Sequence, residues 1–217
     1  MKSAIRNLAA AFALFATLTS GAFARDFHVT ARGRWLASEL DRMNVESKWI
    51  AGARVNWRTG LPVGEGEPLP GRHTHCSAFV AAAAEMLGVY ILRPPEHRQT
   101  LLANAQNEWL AEEGSAEGWR PLDGPMEAQA AANRGRLVVA GYHNRRDDKP
   151  GHIAIVRPGS KSAGDIEAEG PDVIQAGTIN SSSISVKAGF AGHVHAWNDD
   201  EIEYYVHEIT AMERPAR

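Results

Sequence analysis

The chain has one cysteine, Cys76, among 217 residues. A lone thiol cannot close a disulfide within its own chain, so no cysteine framework supports the fold. Positive charge is not in excess, with 23 Lys and Arg against 26 Asp and Glu. That balance excludes a strongly basic nucleic-acid binder. Beyond the first two dozen residues, no apolar run approaches the ~20 residues that cross a bilayer. There is also no internal repeat and no low-complexity tail, which excludes a solenoid. What remains is a chain long enough to bury one substantial core.

The N-terminus has the anatomy of an export signal. Lys2 and Arg6 make it basic, residues 8–18 are apolar and uncharged, and Ala22-Phe23-Ala24 offers a small-x-small cleavage site. Residues 1–24 are therefore expected to be a signal peptide and 25–217 a single domain, exported to the periplasm or beyond the cell. Cleavage removes two basic residues and leaves the mature chain more acidic. No cysteine stands near the cut to take a lipid, so no membrane attachment is expected once the signal is gone.

Leu36, Leu40 and Met43 predict an amphipathic helix over 32–50. Gly60, Pro62, Gly64, Gly66, Pro68, Pro70 and Gly71 make 56–73 a loop. A second helix opens at Cys76, with Phe79, Val80, Ala83 and Leu87 on its apolar stripe, Thr74 as N-cap and Gly88 as stop. A third is expected over 97–113 and a fourth over 125–134, opened by Pro125. The pattern then changes to short β-branched runs at 137–140, 153–156, 173–176, 184–186 and 202–206. The Gly-, Ser- and Asp-rich stretch 158–171 reads as a long hairpin loop. Helices first and strands later define an α+β protein with a mainly antiparallel sheet.

Cys76 follows a Gly/Pro-rich loop and sits in the first turn of its helix. Free N–H groups and the positive helix end favour a thiolate there, which is the nucleophile acyl transfer needs. Its own N–H can donate to an oxyanion. The same position also suits a buried inert thiol, and an intermolecular disulfide is a third possibility. His152 stands at the mouth of a strand in Gly-His-Ile-Ala-Ile-Val (151–156), on the face of Ala154 and Val156. A neutral imidazole there can take the thiol proton and return one to a leaving amine. Gln175, in the next strand, can orient the ring through its amide oxygen; Asn180 is the rival for that role.

Cys-Ser-Ala-Phe-Val at 76–80, Gly-His-Ile-Ala-Ile-Val at 151–156 and a polar residue in the following strand resemble the NlpC-type and CHAP cell-wall amidases. The resemblance spans roughly 70–190 in a loose sense. It implies a papain-like fold, with N-terminal helices packed on an antiparallel sheet. It further implies a cysteine amidase or endopeptidase that cleaves peptidoglycan amide bonds without metal or other cofactor. Cys76 would be the nucleophile, His152 the base and Gln175 the orienting residue. The implied partner is peptidoglycan or its peptide fragments, not nucleic acid or membrane, and no inhibitor protein is indicated. The chain departs from the family pattern in having His75 where many members have Asp, and in the long stretch between His152 and Gln175.

Alternatives are a wall- or partner-binding module that keeps the fold without turnover, and a zinc hydrolase built on His73-x-His75-Cys76 and His193-x-His195. His73 and His75, if protonated, would make the surroundings of Cys76 more positive. Trp57 and Trp197 are expected in loops, where they can line a cleft.

Overall fold

The computed structural model describes residues 28–64 and 73–210. The expected signal segment and the middle of the Gly/Pro-rich loop lie outside the described residues.

Helix α1, Ala31–Arg42, is capped by Thr30, whose hydroxyl accepts from the Gly33 N–H at 3.0 Å and donates to the Asn133 carbonyl at 2.8 Å. It ends earlier than the apolar spacing predicts. Asn44 turns left-handed at φ 54°, and a single 3₁₀ turn, Val45–Ser47, follows. Val45 and Trp49 are still buried, which is why the pattern reads as one continuous helix. Helix α2, Cys76–Met86, has four consecutive alanines and is buried around its first nine residues. Trp49 packs edge-on against its Phe79 at 5.3 Å. The N-cap is His75, not Thr74, and no side chain caps the first turn.

Helix α3, Leu102–Glu112, starts five residues later than expected, after Leu101 at φ 56°. It carries three buried amides. Gln106 Nε2 donates to the carbonyls of Ser77, 3.1 Å, and Leu92, 2.8 Å. Asn104 Oδ1 accepts from the N–H groups of Gly151, 2.7 Å, and Asn144, 3.2 Å, and its Nδ2 donates to the Lys149 carbonyl. Asn107 Nδ2 donates to the His152 carbonyl at 3.3 Å. Strand β1, Arg120–Leu122, and helix α4, Pro125–Asn133, follow. Next come β2, Leu137–Tyr142, and β3, His152–Val156. The expected loop at 158–171 contains helix α5, Ala163–Glu169, capped by the Ser162 hydroxyl on the Asp165 N–H. Strands β4, Asp172–Ala176, and β5, Asn180–Ser185, lead to short helices α6, Val186–Gly189, and α7, Val194–Asn198. Strand β6, Glu203–His207, closes the fold.

The six strands form one antiparallel sheet in the order β1-β6-β2-β3-β4-β5. This is the α+β arrangement expected from the order of elements. Both faces are covered. Leu137, Val139, Ile153, Ile155 and Ile174 share one core with α2 and α3. Val138, Ala140, Ala154, Val156 and Val173 share another with α4 and with Phe190 and Ala196. Double coverage makes the central strands continuous apolar runs without alternation.

The edges are treated differently. β5 is serine-rich and half-exposed. The Glu46 carboxylate accepts from the Ser182 N–H at 3.0 Å and from its hydroxyl at 2.6 Å. β1 at the other edge is three residues long and contains Pro121.

Gly141 in β2 lies under Asn107, and a β-carbon there would overlap the Asn107 side-chain oxygen. That oxygen is buried and, among the described residues, has no hydrogen-bond partner, so the added carbon displaces a side chain that is already closely packed. Gly141→Ala is expected to lower stability by about 1–3 kcal/mol in denaturant unfolding. An unchanged midpoint would contradict this packing.

Candidate active site

β3 begins at His152, directly opposite Tyr142 on β2. The His152 ring lies on the α4 side of the sheet, edge-on to Phe190 at 4.6 Å and stacked on His193 at 5.7 Å. Its Nε2 is 2.8 Å from Gln175 Oε1. Gln175 stands at an irregularity in the β4–β5 ladder, and its Nε2 donates to the Ile179 carbonyl at 3.1 Å. A carbonyl only accepts, so the amide orientation is fixed with Oε1 toward the ring. The ring nitrogen facing Oε1 must then carry the proton. In the neutral imidazole Nδ1 is left as the basic nitrogen. Burial pushes the His152 pKa down, and the Gln175 bond offsets this in part. The ring is therefore neutral at neutral pH.

Two glycines leave room for this pair. A β-carbon at Gly189 would sit 2.7 Å from Gln175 Oε1, and one at Gly177 would sit 3.2 Å from Gln175 Nε2 and 3.4 Å from His152 Cε1. Asn180, the rival orienting residue, is elsewhere. Its Nδ2 donates to the carbonyls of Val45, 2.9 Å, and Lys48, 2.7 Å, and so clamps the turn after α1.

Cys76 is 4 % exposed and belongs to the core on the α2 side of the sheet. Burial pushes its thiol pKa up. Backbone hydrogen bonds from Ile153, Ser77 and Cys76 itself, with the Thr74 side chain, act in the opposite direction. Ile153 is the residue after His152 and lies just ahead of the first β3–β4 pair, Ile155 with Ile174. The thiol thus meets β3 at its mouth, one residue from the imidazole. Among the described residues no hydrogen bond joins the thiol to the ring. The structure brings His152 and Gln175 into direct contact, and Cys76 to the adjacent backbone.

His75 Nε2 lies 2.9 Å from the Ala53 carbonyl, and the Gly52 N–H donates to the His73 carbonyl at 2.8 Å. These bonds tie residues 50–54 to the segment that enters α2. Burial is the largest influence on His75 and moves its pKa down, so it does not make the surroundings of Cys76 more positive. His193 was paired with His195 in the sequence, but the two rings diverge. His193 packs on His152 and Tyr142, whereas His195 Nδ1 is 2.9 Å from Asp199 and 3.1 Å from Arg145. Among the described residues no three His, Cys, Asp or Glu side chains are placed to hold a metal ion. Trp57 is 9 % exposed and part of the core, which corrects its assignment to a cleft. Trp197 lies on α7 and does line a cleft.

No model of a known protein family matches the chain, and no curated protein matches it. Among the described residues no helix is long and apolar enough to cross a membrane.

Burial, with repulsion from His152 once that ring is itself protonated, lowers the His193 pKa from 6.5 to about 4. His75, His152 and His193 all bind protons less readily folded than unfolded. The unfolded chain then takes up more protons as pH falls below the ordinary histidine range, so stability falls with it. The melting temperature is expected to drop between about pH 6.5 and pH 4, and to drop less in His193→Phe. Equal slopes for the two proteins would remove His193 from this account. In nitrogen NMR at neutral pH, the His152 ring is expected to carry its proton on Nε2.

Proposed function

We propose that the chain is an exported cysteine amidase or endopeptidase of papain-like architecture, acting on the peptide amides of peptidoglycan. One observation carries the catalytic part of this reading: the fixed His152–Gln175 pair, with Nδ1 left basic, one residue from the backbone that meets the lone thiol. The substrate class rests on the resemblance of residues 76–80 and 151–156 to cell-wall amidases, and export rests on the anatomy of residues 1–24.

In this mechanism the Cys76 proton passes to His152 Nδ1, and the thiolate attacks the amide carbonyl. The Cys76 N–H donates to the oxyanion. His152 returns the proton to the departing amine as the C–N bond breaks, leaving a thioester. Water, deprotonated by the same nitrogen, hydrolyses it. Gln175 holds the ring throughout and disperses the charge of the imidazolium. With thiol and ring both 4 % exposed, substrate reaches them only after a neighbouring segment moves.

That burial, together with the raised thiol pKa, favours a second reading: a module that binds wall fragments without cleaving them. One experiment separates the two. Residues 25–217 are incubated with purified sacculi, and released amino groups and fragments are followed by mass spectrometry. Catalysis predicts cleavage that is abolished in Cys76→Ala and reduced at least ~100-fold in His152→Ala, with both variants folded. Full activity in Cys76→Ala would overturn the mechanism, and saturable binding without cleavage would establish the second reading.

A further inference from the structure

His152 is 4 % exposed, so its basic nitrogen meets a substrate only when a neighbour gives way. Two rings lie against it. Phe190 is fully buried in the core shared with α4 and is fixed there. His193 is half-buried and reaches the surface. Its ring stacks on His152 at an interplanar angle of 19° and lies 5.4 Å from the ring of Tyr142. Tyr142 and His152 face one another across β2 and β3, so a single imidazole roofs the pair.

This roof is lightly held. Among the described residues neither ring nitrogen of His193 has a hydrogen-bond or ion-pair partner, whereas His75, His152, His195 and His207 each have one. Burial keeps the His193 ring neutral at neutral pH, so no charge anchors it either. Its surroundings leave room to turn. Ala191, Gly192, Val194 and His195 are all exposed, and a β-carbon at Gly192 would meet nothing within 4 Å. The backbone beneath is pinned: the His193 N–H donates to the Phe190 carbonyl at 2.8 Å, and its carbonyl accepts from the Ala196 N–H at 3.0 Å. Moving α6 and α7 together would draw Phe190 and Ala196 out of the core and break the ion pairs of Arg145 with Asp199 and Glu201. Turning one side chain forfeits only ring contacts, and rotamer changes at a surface are fast.

We propose that His193 is the gate of this site: its ring turns outward over the exposed turn between α6 and α7 and opens the space above Tyr142 and His152 to substrate. The segment that moves is thus one side chain. The gate keeps the imidazole dry at rest and leaves the His152–Gln175 bond in place when it opens. Its purpose rests on the catalytic reading of His152, but access to the ring is measured without turnover.

The test is the initial rate at which diethylpyrocarbonate modifies each histidine of the purified protein at neutral pH, read by peptide mass spectrometry. Exposed His73 reports the reagent, and His75, 5 % exposed at the start of α2, reports any general loosening of the fold. A state that opens one time in ten or less limits access, so His193→Ala is expected to speed His152 modification at least ~10-fold. The rates at His73 and His75 stay as they were. His193→Phe refills the roof and is expected to keep His152 as slow as in the unaltered protein. An unchanged His152 rate in His193→Ala, equal acceleration of His75, or a Phe variant as fast as the Ala variant would overturn the proposal. The expected rates in a protein that leaves sacculi intact support the gate and overturn only the catalytic reading.

Discussion

Three buried amide side chains on α3 hold the two halves of this molecule in register. Gln106 grips the Ser77 carbonyl one residue into the cysteine helix. Asn104 closes the turn before β3 by bonding both Asn144 and Gly151, and Asn107 takes the His152 carbonyl. Each bond contributes only about 1 kcal/mol net, but leaving its buried partners unpaired costs more. The amides therefore act less as glue than as a gauge. Any arrangement of α2 and β3 that does not match their spacing strands buried polar atoms, so the start of α2 and the start of β3 are fixed relative to one helix.

That gauge matters because the sheet runs between the groups assigned to catalysis. The thiol belongs to the core on one face, whereas the imidazole packs against Phe190 and His193 on the other. They approach at the strand mouth, before β3 and β4 begin to pair. The His152–Gln175 bond keeps the ring in one tautomer without charging it. Burial keeps the thiol protonated. The resting site is thus electrically quiet, and proton transfer within it would create two charges where the surroundings are adapted to none.

Much of this was legible because the chemistry needs unusual residues in ordinary places. A polar Gln175 between Ile174 and Ala176, and a histidine opening an apolar strand, stand out against a sheet buried on both faces. The central strands were readable for the same reason. Other features hid behind local composition. Ser162 and Asp165 form a helix-capping pair, but the surrounding Gly and Ser give 158–171 the composition of a loop. Strand β5 was anticipated only at its last residues, because a half-exposed edge carries serines rather than β-branched residues. Thr74 has the right chemistry for a cap, yet the chain turns into the helix one residue later. His193 gave no sequence sign of its partner, because stacking against His152 depends on where α6 and α7 return over the sheet.

The treatment of the β5 edge has a consequence for how copies of the protein meet. An open strand edge is a template, ready to recruit the backbone of a second chain. Here the Ser182 amide is already taken by Glu46, reaching in from the turn after α1. Asn180 anchors that same turn with its side chain. The carboxylate mimics the acceptor that an incoming strand would bring, but it carries a charge that no incoming strand can pair with along its backbone. At the opposite edge, Pro121 lacks an amide to offer. Growth by strand addition is therefore discouraged at both ends of the sheet, by a borrowed side chain at one and a missing hydrogen at the other.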